Sequence, residues 1–296
     1  MSAGYVVFAD STIDLPAKLA NELEIEVIPY IYTLDGKEYY NYLDYRDLSV
    51  RDFYDTLRSG KLSTTTQVTA HRYLEAWEPY LKDGKDVLYM CLSSKLSKSY
   101  DQSMMAAKEA METYPNRKVI TIDSKSASLG QGLLAIKAAK ARSAGKTMEE
   151  AAKEVESVIP RLQYSVMADD LHHLKRGGRI SGAKAAIGTV LNVKPILTIT
   201  LEGALTPIGK ARGRNKALAL FLENLEKLEY AKDELMTIAH SDVPELAQQL
   251  SDMINEKFGK TDILINDIGP VIGAHTGPGT IAIMFISEKQ ERYNGN

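Results

Sequence analysis

Short apolar runs separated by amphipathic stretches set the strongest limit on how this chain can fold. Residues 5–9, 26–32, 86–92 and 118–122 are brief and rich in Val, Ile or Tyr, as strands are. Between them, Tyr100, Met104, Ala107 and Met111 recur at the offsets of one helix face, which the spacing predicts to be core and not a cofactor box. Alternation of this kind over the first 160 residues predicts helices laid on a largely parallel sheet. A second block follows, with strands over 164–168, 196–201, 235–239, 263–265 and 281–286 and helices over 215–228 and 245–258. Leu218, Phe221, Leu225 and Leu228 share a helix face, and residues 203–207 read as a turn between adjacent strands. The expectation is an α/β fold of two α/β domains, 1–160 and 161–296, divided near the weakly marked segment 157–161.

Composition narrows what such a fold can do. A net charge of −3 gives no basic field for nucleic acid and no polybasic patch for a membrane surface. The single cysteine, Cys91, allows no intrachain disulfide and fits a reducing compartment. No apolar stretch approaches the ~20 residues that span a bilayer, and the chain enters a strand-like run without a charged leader. These features predict a soluble, cytoplasmic protein with no nucleic-acid partner and no stable membrane insertion.

The segments that carry chemistry are rich in hydroxyls and glycine. Gly273-Ala274-His275-Thr276-Gly277-Pro278-Gly279-Thr280 places one of five histidines where backbone amides can approach a ligand, just before a strand. Alone it is equally an elaborate turn. Asp10-Ser11-Thr12-Ile13-Asp14-Leu15-Pro16 lies between a strand and a helix, where Asp and Ser side chains cap helix starts. Ser63-Thr64-Thr65-Thr66-Gln67 offers uncharged donors for a carboxylate or phosphate, or simply enters the helix that follows. Leu92-Ser93-Ser94-Lys95-Leu96-Ser97 follows a strand, where ligands sit in open α/β sheets, though capping is the alternative.

Leu174-Lys175-Arg176-Gly177-Gly178-Arg179-Ile180 presents two arginines around a glycine pair, fit to clamp an acidic group or to form a solvated turn. Asp169-Asp170-Leu171-His172-His173 suggests metal ligands, but adjacent histidines on a helix diverge and no second cluster has metal spacing. No metal site is expected. Gly-x-Ser-x-Gly, His-Glu-x-x-His and phosphate-loop signatures are absent from the sequence. A Ser94–His275 pair would imitate a hydrolase dyad, but nothing in the sequence orients that histidine.

Taken in order, Asp-Ser-Thr-x-Asp-Leu-Pro, the Thr-Gln segment, Leu-Ser-Ser-x-Leu-Ser, Arg-Gly-Gly-Arg-Ile and His-Thr-Gly-Pro-Gly-Thr resemble the DegV family, from Asp10 to Thr280. Val68 and Lys98-Ser99 depart from the family pattern. The resemblance implies a two-domain fold that buries a long-chain fatty acid between or within its domains. It further implies that the chain is no enzyme and needs no cofactor. A separate ATP-dependent fatty acid kinase subunit would phosphorylate the bound carboxyl group, giving acyl phosphate for phospholipid synthesis. Carried over motif by motif, Thr65 and Ser94, with Thr66 and Ser93 as the alternatives beside them, would touch the carboxylate, and His275 would complete the polar mouth. Arg176, Gly177, Gly178 and Arg179 would line the pocket or dock the partner. The alternative from another class is a serine esterase or phosphotransferase using the same mouth.

Overall fold

The computed structural model describes residues 4–169, 171–180, 192–289 and 291–294. Its first half opens with β1 (Tyr5–Asp10), buried at every residue, then α1 (Ala17–Glu22) and β2 (Ile25–Ile28). The single strand expected over 26–32 is two strands in different sheets. Pro29 has no N–H for a ladder, and Tyr30 gives its own N–H to Ser11 Oγ at 3.0 Å. From there β3 (Tyr30–Leu34) turns through Asp35 and Gly36, both at positive φ, into β4 (Lys37–Asn41). After α2 (Val50–Arg58), the hydroxyl run forms β5 (Ser63–Thr66), an edge strand paired antiparallel with β3.

The half continues through α3 (Ala70–Lys82), β6 (Asp86–Cys91), α4 (Ser99–Thr113), β7 (Val119–Asp123), α5 (Leu129–Ser143) and α6 (Met148–Val158). Strands β2-β1-β6-β7 make a parallel sheet, and β4-β3-β5 a small antiparallel one. Asp10, at the end of β1, is buried and accepts from Thr12 N at 3.0 Å, Tyr89 Oη at 2.9 Å and Leu92 N at 3.1 Å, so it caps the short 3-10 turn Ser11–Ile13 and braces β6, whereas the N-cap of α1 is Pro16, which makes no side-chain cap. The methionine face of α4 is a correction. Met104 is 47% and Met111 38% exposed, while Ser103, Ala106, Ala107 and Ala110 are buried. Small side chains let the helix lie close to its neighbours, and the longer methionines are left outside.

The second half comprises β8 (Leu162–Met167), α7 (His172–Gly177), β9 (Val193–Ile199), β10 (Leu205–Arg212), α8 (Arg214–Lys227), β11 (Met236–His240), α9 (Pro244–Phe258), β12 (Ile263–Asp267), α10 (Pro270–Thr276) and β13 (Ile281–Ile286). They form a mixed sheet in the order β10-β9-β8-β13-β11-β12, in which β9 and β10 are the adjacent strands expected, although Leu205, Thr206 and Pro207 of the expected turn are paired within β10 and the chain turns over 200–204. Alternation along a strand sends successive side chains to opposite faces. Ile281, Ile283 and Phe285 of β13 therefore pack under α8 and α9 with Phe221 and Leu250, whereas Ala282, Met284 and Ile286 join the core shared with the first half. No helix among the described residues is long and apolar enough to cross a membrane.

Hydrogen bonds join the halves. Asp14 accepts from Ser128 Oγ at 2.6 Å and from Gly269 N at 3.0 Å, and its backbone carbonyl accepts from Asn266 Nδ2 at 2.7 Å. Tyr54 Oη donates to the Ile268 carbonyl at 2.7 Å, and Arg58 pairs with Asp242. Burial pushes the Asp14 carboxyl up to about 8, against the pull of its two donors. A carboxyl raised in the folded state contributes stability that is whole below its ordinary 3.8 and is lost as pH rises through about 8. Asp14→Asn preserves the shape and one acceptor without the charge. Between pH 4 and 8 the unfolding free energy of the native protein, from urea titration, should therefore fall more steeply with pH than that of Asp14→Asn, by at most about 1.4 kcal/mol per pH unit. Parallel slopes would contradict this account of Asp14.

Candidate functional site

A cavity of about 400 Å³ lies between the inner face of the six-stranded sheet and the first half. Its sheet wall comes from alternate residues of three neighbouring strands: Tyr164 and Val166 on β8, Leu197 and Ile199 on β9, Ala282 and Met284 on β13. The facing wall comes from Tyr30, Leu92, Leu96 and Ala127, with Val271 and Ile272 of α10 closing one side. This lining is predominantly apolar, and among the described residues its charged side chains are Lys98 and Arg179.

One end is polar. His275, on the last turn of α10, meets Thr65 of edge strand β5, with Nε2 and Oγ1 2.9 Å apart. Thr66, Gln67, Ser97, Lys98 and Arg179 also line it. Ser97 Oγ lies 3.1 Å from Ser99 Oγ and 3.4 Å from Tyr30 Oη. Arg179 is anchored by donating Nε to the Leu96 carbonyl at 3.1 Å and Nη1 to the Gly177 carbonyl at 2.6 Å.

Glycines allow this convergence. A side chain at Gly177 would strike His275 Nδ1, one at Gly277 the His173 ring, and one at Gly279 the Asp169 carboxylate. Gly277 and Gly279 also hold φ of 74° and 81°, which side-chain-bearing residues rarely adopt. Asp169 is itself fixed by Lys194 and Arg214, each at 2.8 Å.

Burial, with the Arg179 guanidinium adding to it, lowers the His275 imidazole to about 4. The ring is neutral at ordinary pH. Its buried Nδ1 faces Gly177 and has no hydrogen-bond partner among the described residues. An orphaned lone pair costs less than an orphaned N–H, so the network assigns the proton to Nε2, donating to Thr65 Oγ1. The Thr65 hydroxyl hydrogen is then free for an acceptor in the cavity. Together the Thr65 hydroxyl and the remaining Arg179 N–H groups form a donor set suited to an anionic head.

The structure brings Thr65, Thr66, His275 and Arg179 together, with Gly177 packed against His275, and places Ser93, Ser94, Arg176 and Gly178 outside the cavity lining. Ser93 Oγ donates to the Gly203 carbonyl at 2.8 Å, and Ser94 Oγ donates to Asp123 at 2.6 Å; neither lines the cavity. Arg176 is exposed with Nη2 2.9 Å from His173 Nδ1, and Gly178 ends α7 at φ 66°. Sequence reasoning missed Ser97, although it is the third serine of the same Leu-Ser-Ser-x-Leu-Ser run. It also missed Tyr30, which is hidden by the break at Pro29. Asp170 lies outside the described residues, among which no cluster of His, Cys, Asp or Glu could hold a metal ion.

Residues 5–288 match the family model described as uncharacterised protein, DegV family. A DegV domain-containing protein of Clostridium perfringens is 41% identical over 288 residues, 97% of this chain and 99% of the relative. The solved structure of a fatty-acid-binding DegV family protein from Thermus thermophilus superposes with a TM-score of 0.87 at 30% identity, covering 96% of this chain and 99% of that one. DegV of Bacillus subtilis, described as a fatty acid binding protein, superposes with a TM-score of 0.81 at 28% identity, covering 97% and 100%.

The electrostatics of the polar end are open to test. Imidazole NMR should find His275 uncharged from pH 6 to 8, protonated on Nε2, and titrating near 4, with His275→Gln identifying its signals. A folded pKa below the ordinary 6.5 means that the stability this ring contributes is whole above 6.5 and is lost as pH falls through about 4. Titration at 6.5 in the folded protein would contradict the assignment.

Proposed function

The chain belongs to the DegV family, and on that footing we propose that it binds a long-chain fatty acid, carboxylate at Thr65 and His275, tail along the sheet wall. The observation that carries this reading is the division of one cavity into a polar end and an apolar body. Arg179, Thr66 and Lys98 at the polar end are exposed, whereas Tyr164, Ile199 and Met284 at the other are buried. The tail stays dry and the head remains within reach of solvent. Each buried methylene is worth roughly 0.8 kcal/mol, so the tail dominates gross affinity, and ordering costs reduce what is observed. Hydroxyls and guanidinium set direction, because a carboxylate without partners would be expelled or protonated. The fatty-acid binding of the Thermus thermophilus and Bacillus subtilis relatives supports the same ligand class.

In this reading the chain carries substrate and does not catalyse. A Thr–His contact has the look of a nucleophile and its base. A base must take a proton, however, and His275 resists protonation and among the described residues has no carboxylate on Nδ1 to steady an imidazolium. The solvent-facing head suits a second function proposed here: presenting the carboxylate to a separate ATP-dependent kinase, which forms the acyl phosphate.

Two experiments test these proposals. Native mass spectrometry of the purified protein should show a bound fatty acid, and Thr65→Val should weaken its affinity about tenfold or more, the cost of a hydrogen bond to a charged group. Ligand-free protein that also refuses added fatty acid would sink the binding reading. Acyl phosphate should appear when fatty acid kinase and ATP are supplied, and not with this chain and ATP alone; product from the chain alone would overturn the carrier role.

A further inference from the structure

The sheet wall of the cavity is graded in bulk. Near His275 and Thr276 it carries Ala168 and Thr280, each one residue beyond the paired Met167 and Ile281. One step inward, Val166 sits between Ala282 and Leu197. At the far end Tyr164 pairs with Met284, and Ile199 lies two residues past Leu197 on the other side. Ala168 and Tyr164 are four residues apart on one strand, roughly 13 Å at strand rise. The polar mouth therefore opens over small side chains, and the cavity ends at large ones.

Tyr164 is held more firmly than a filler needs to be. Its hydroxyl bonds Ser126 Oγ, and its phenol lies so close over Gly130 that any side chain there would strike it. The Arg292 guanidinium covers its ring at 5.2 Å from the centroid. Arg292 is only 2% exposed and does not line the cavity. It donates to the Ile159 carbonyl at 2.6 Å and to the carbonyls of Lys125 and Thr200, and its backbone N–H donates to the Pro160 carbonyl at 2.6 Å. Among the described residues no carboxylate pairs with it. A buried charge met by carbonyls and an aromatic face, with its Nε unpaired among the described residues, is costly to maintain. Its placement ties the loop after β7, the turn after β9 and the α6–β8 connection to the ring that ends the cavity.

We propose that Tyr164 is the floor that sets how long an acyl tail the cavity accepts, and that Arg292 is the positioning residue that keeps the phenol in place. This assignment rests on the fatty-acid reading of the cavity. The delipidated full chain, offered equimolar myristic, palmitic, stearic and arachidic acids, can be read by native mass spectrometry. Tyr164→Ala should move the preference to longer acids by roughly two methylenes or more, because the deleted ring leaves its volume to the tail. Each added methylene should favour the longer acid roughly fourfold. Arg292→Met should shift the profile the same way by less, and Arg292→Lys should return it toward that of the native chain. Val166→Phe, one step nearer the mouth, should shift it to shorter acids, and this variant decides the matter if Tyr164→Ala does not fold. An unchanged profile in a folded, lipid-binding Tyr164→Ala, or in Val166→Phe, overturns the floor. A lowered melting temperature with an unchanged profile in Arg292→Met overturns its positioning role. A native chain that binds none of the four acids defeats the fatty-acid reading itself, and this assignment with it.

Discussion

Strand β13 sits between β8 and β11 and is covered on both faces, so its six side chains are divided between two apolar environments. One set closes the core under α8 and α9, and the other faces the cavity. Because the period of a strand is two, neither set can move without the other. The same register places Thr280 at the mouth and Met284 at the floor, and it delivers the chain from α10 at the point where His275 reaches Thr65. A slip of one residue would turn Ile281 and Ile283 into the cavity and leave alanine and methionine under the helices.

The polar end depends on packing at least as much as on charge. His275 is kept neutral by burial, and it is buried because glycines at 177, 277 and 279 let three segments meet without side chains between them. The Arg179 guanidinium is tied to two carbonyls and lies at the exposed rim. In the proposed binding mode a head group there would meet donors already oriented, which would lower the ordering cost of binding. The ring holds the Thr65 oxygen and leaves its hydrogen for an acceptor in the cavity.

Opposite ends of the junction between the halves are secured by different chemistry. Asp14 and Tyr54 tie the first half to residues 268–269, just before α10, through hydrogen bonds with buried carboxyl and phenol groups. Arg292 ties carbonyls from both halves at the floor of the cavity. The cavity is thus fixed at its borders by Asp14, Tyr54 and Arg292, which do not line it, acting in part through Ser128 and Tyr164, which do.

Alternating apolar runs determined the α/β class, most strand positions and the adjacency of β9 and β10, because burial of a pleated or helical face leaves its period in the residues. Residue type likewise marked the hydroxyl and glycine segments from which the polar end is built. Misreadings fall where the period was ambiguous or local: Pro29 split one apolar run between two sheets, and the methionines of α4 followed a helical spacing whose buried stripe is made of alanine and serine. Nor did residue type distinguish Ser93 and Ser94, turned to Gly203 and Asp123, from Ser97, which faces the cavity. Thr65 and His275 stand 210 residues apart and share no local signal. Their contact, the neutral ring and the graded wall were decided by the tertiary structure alone, since strand register and glycine packing determine which side chains face one another.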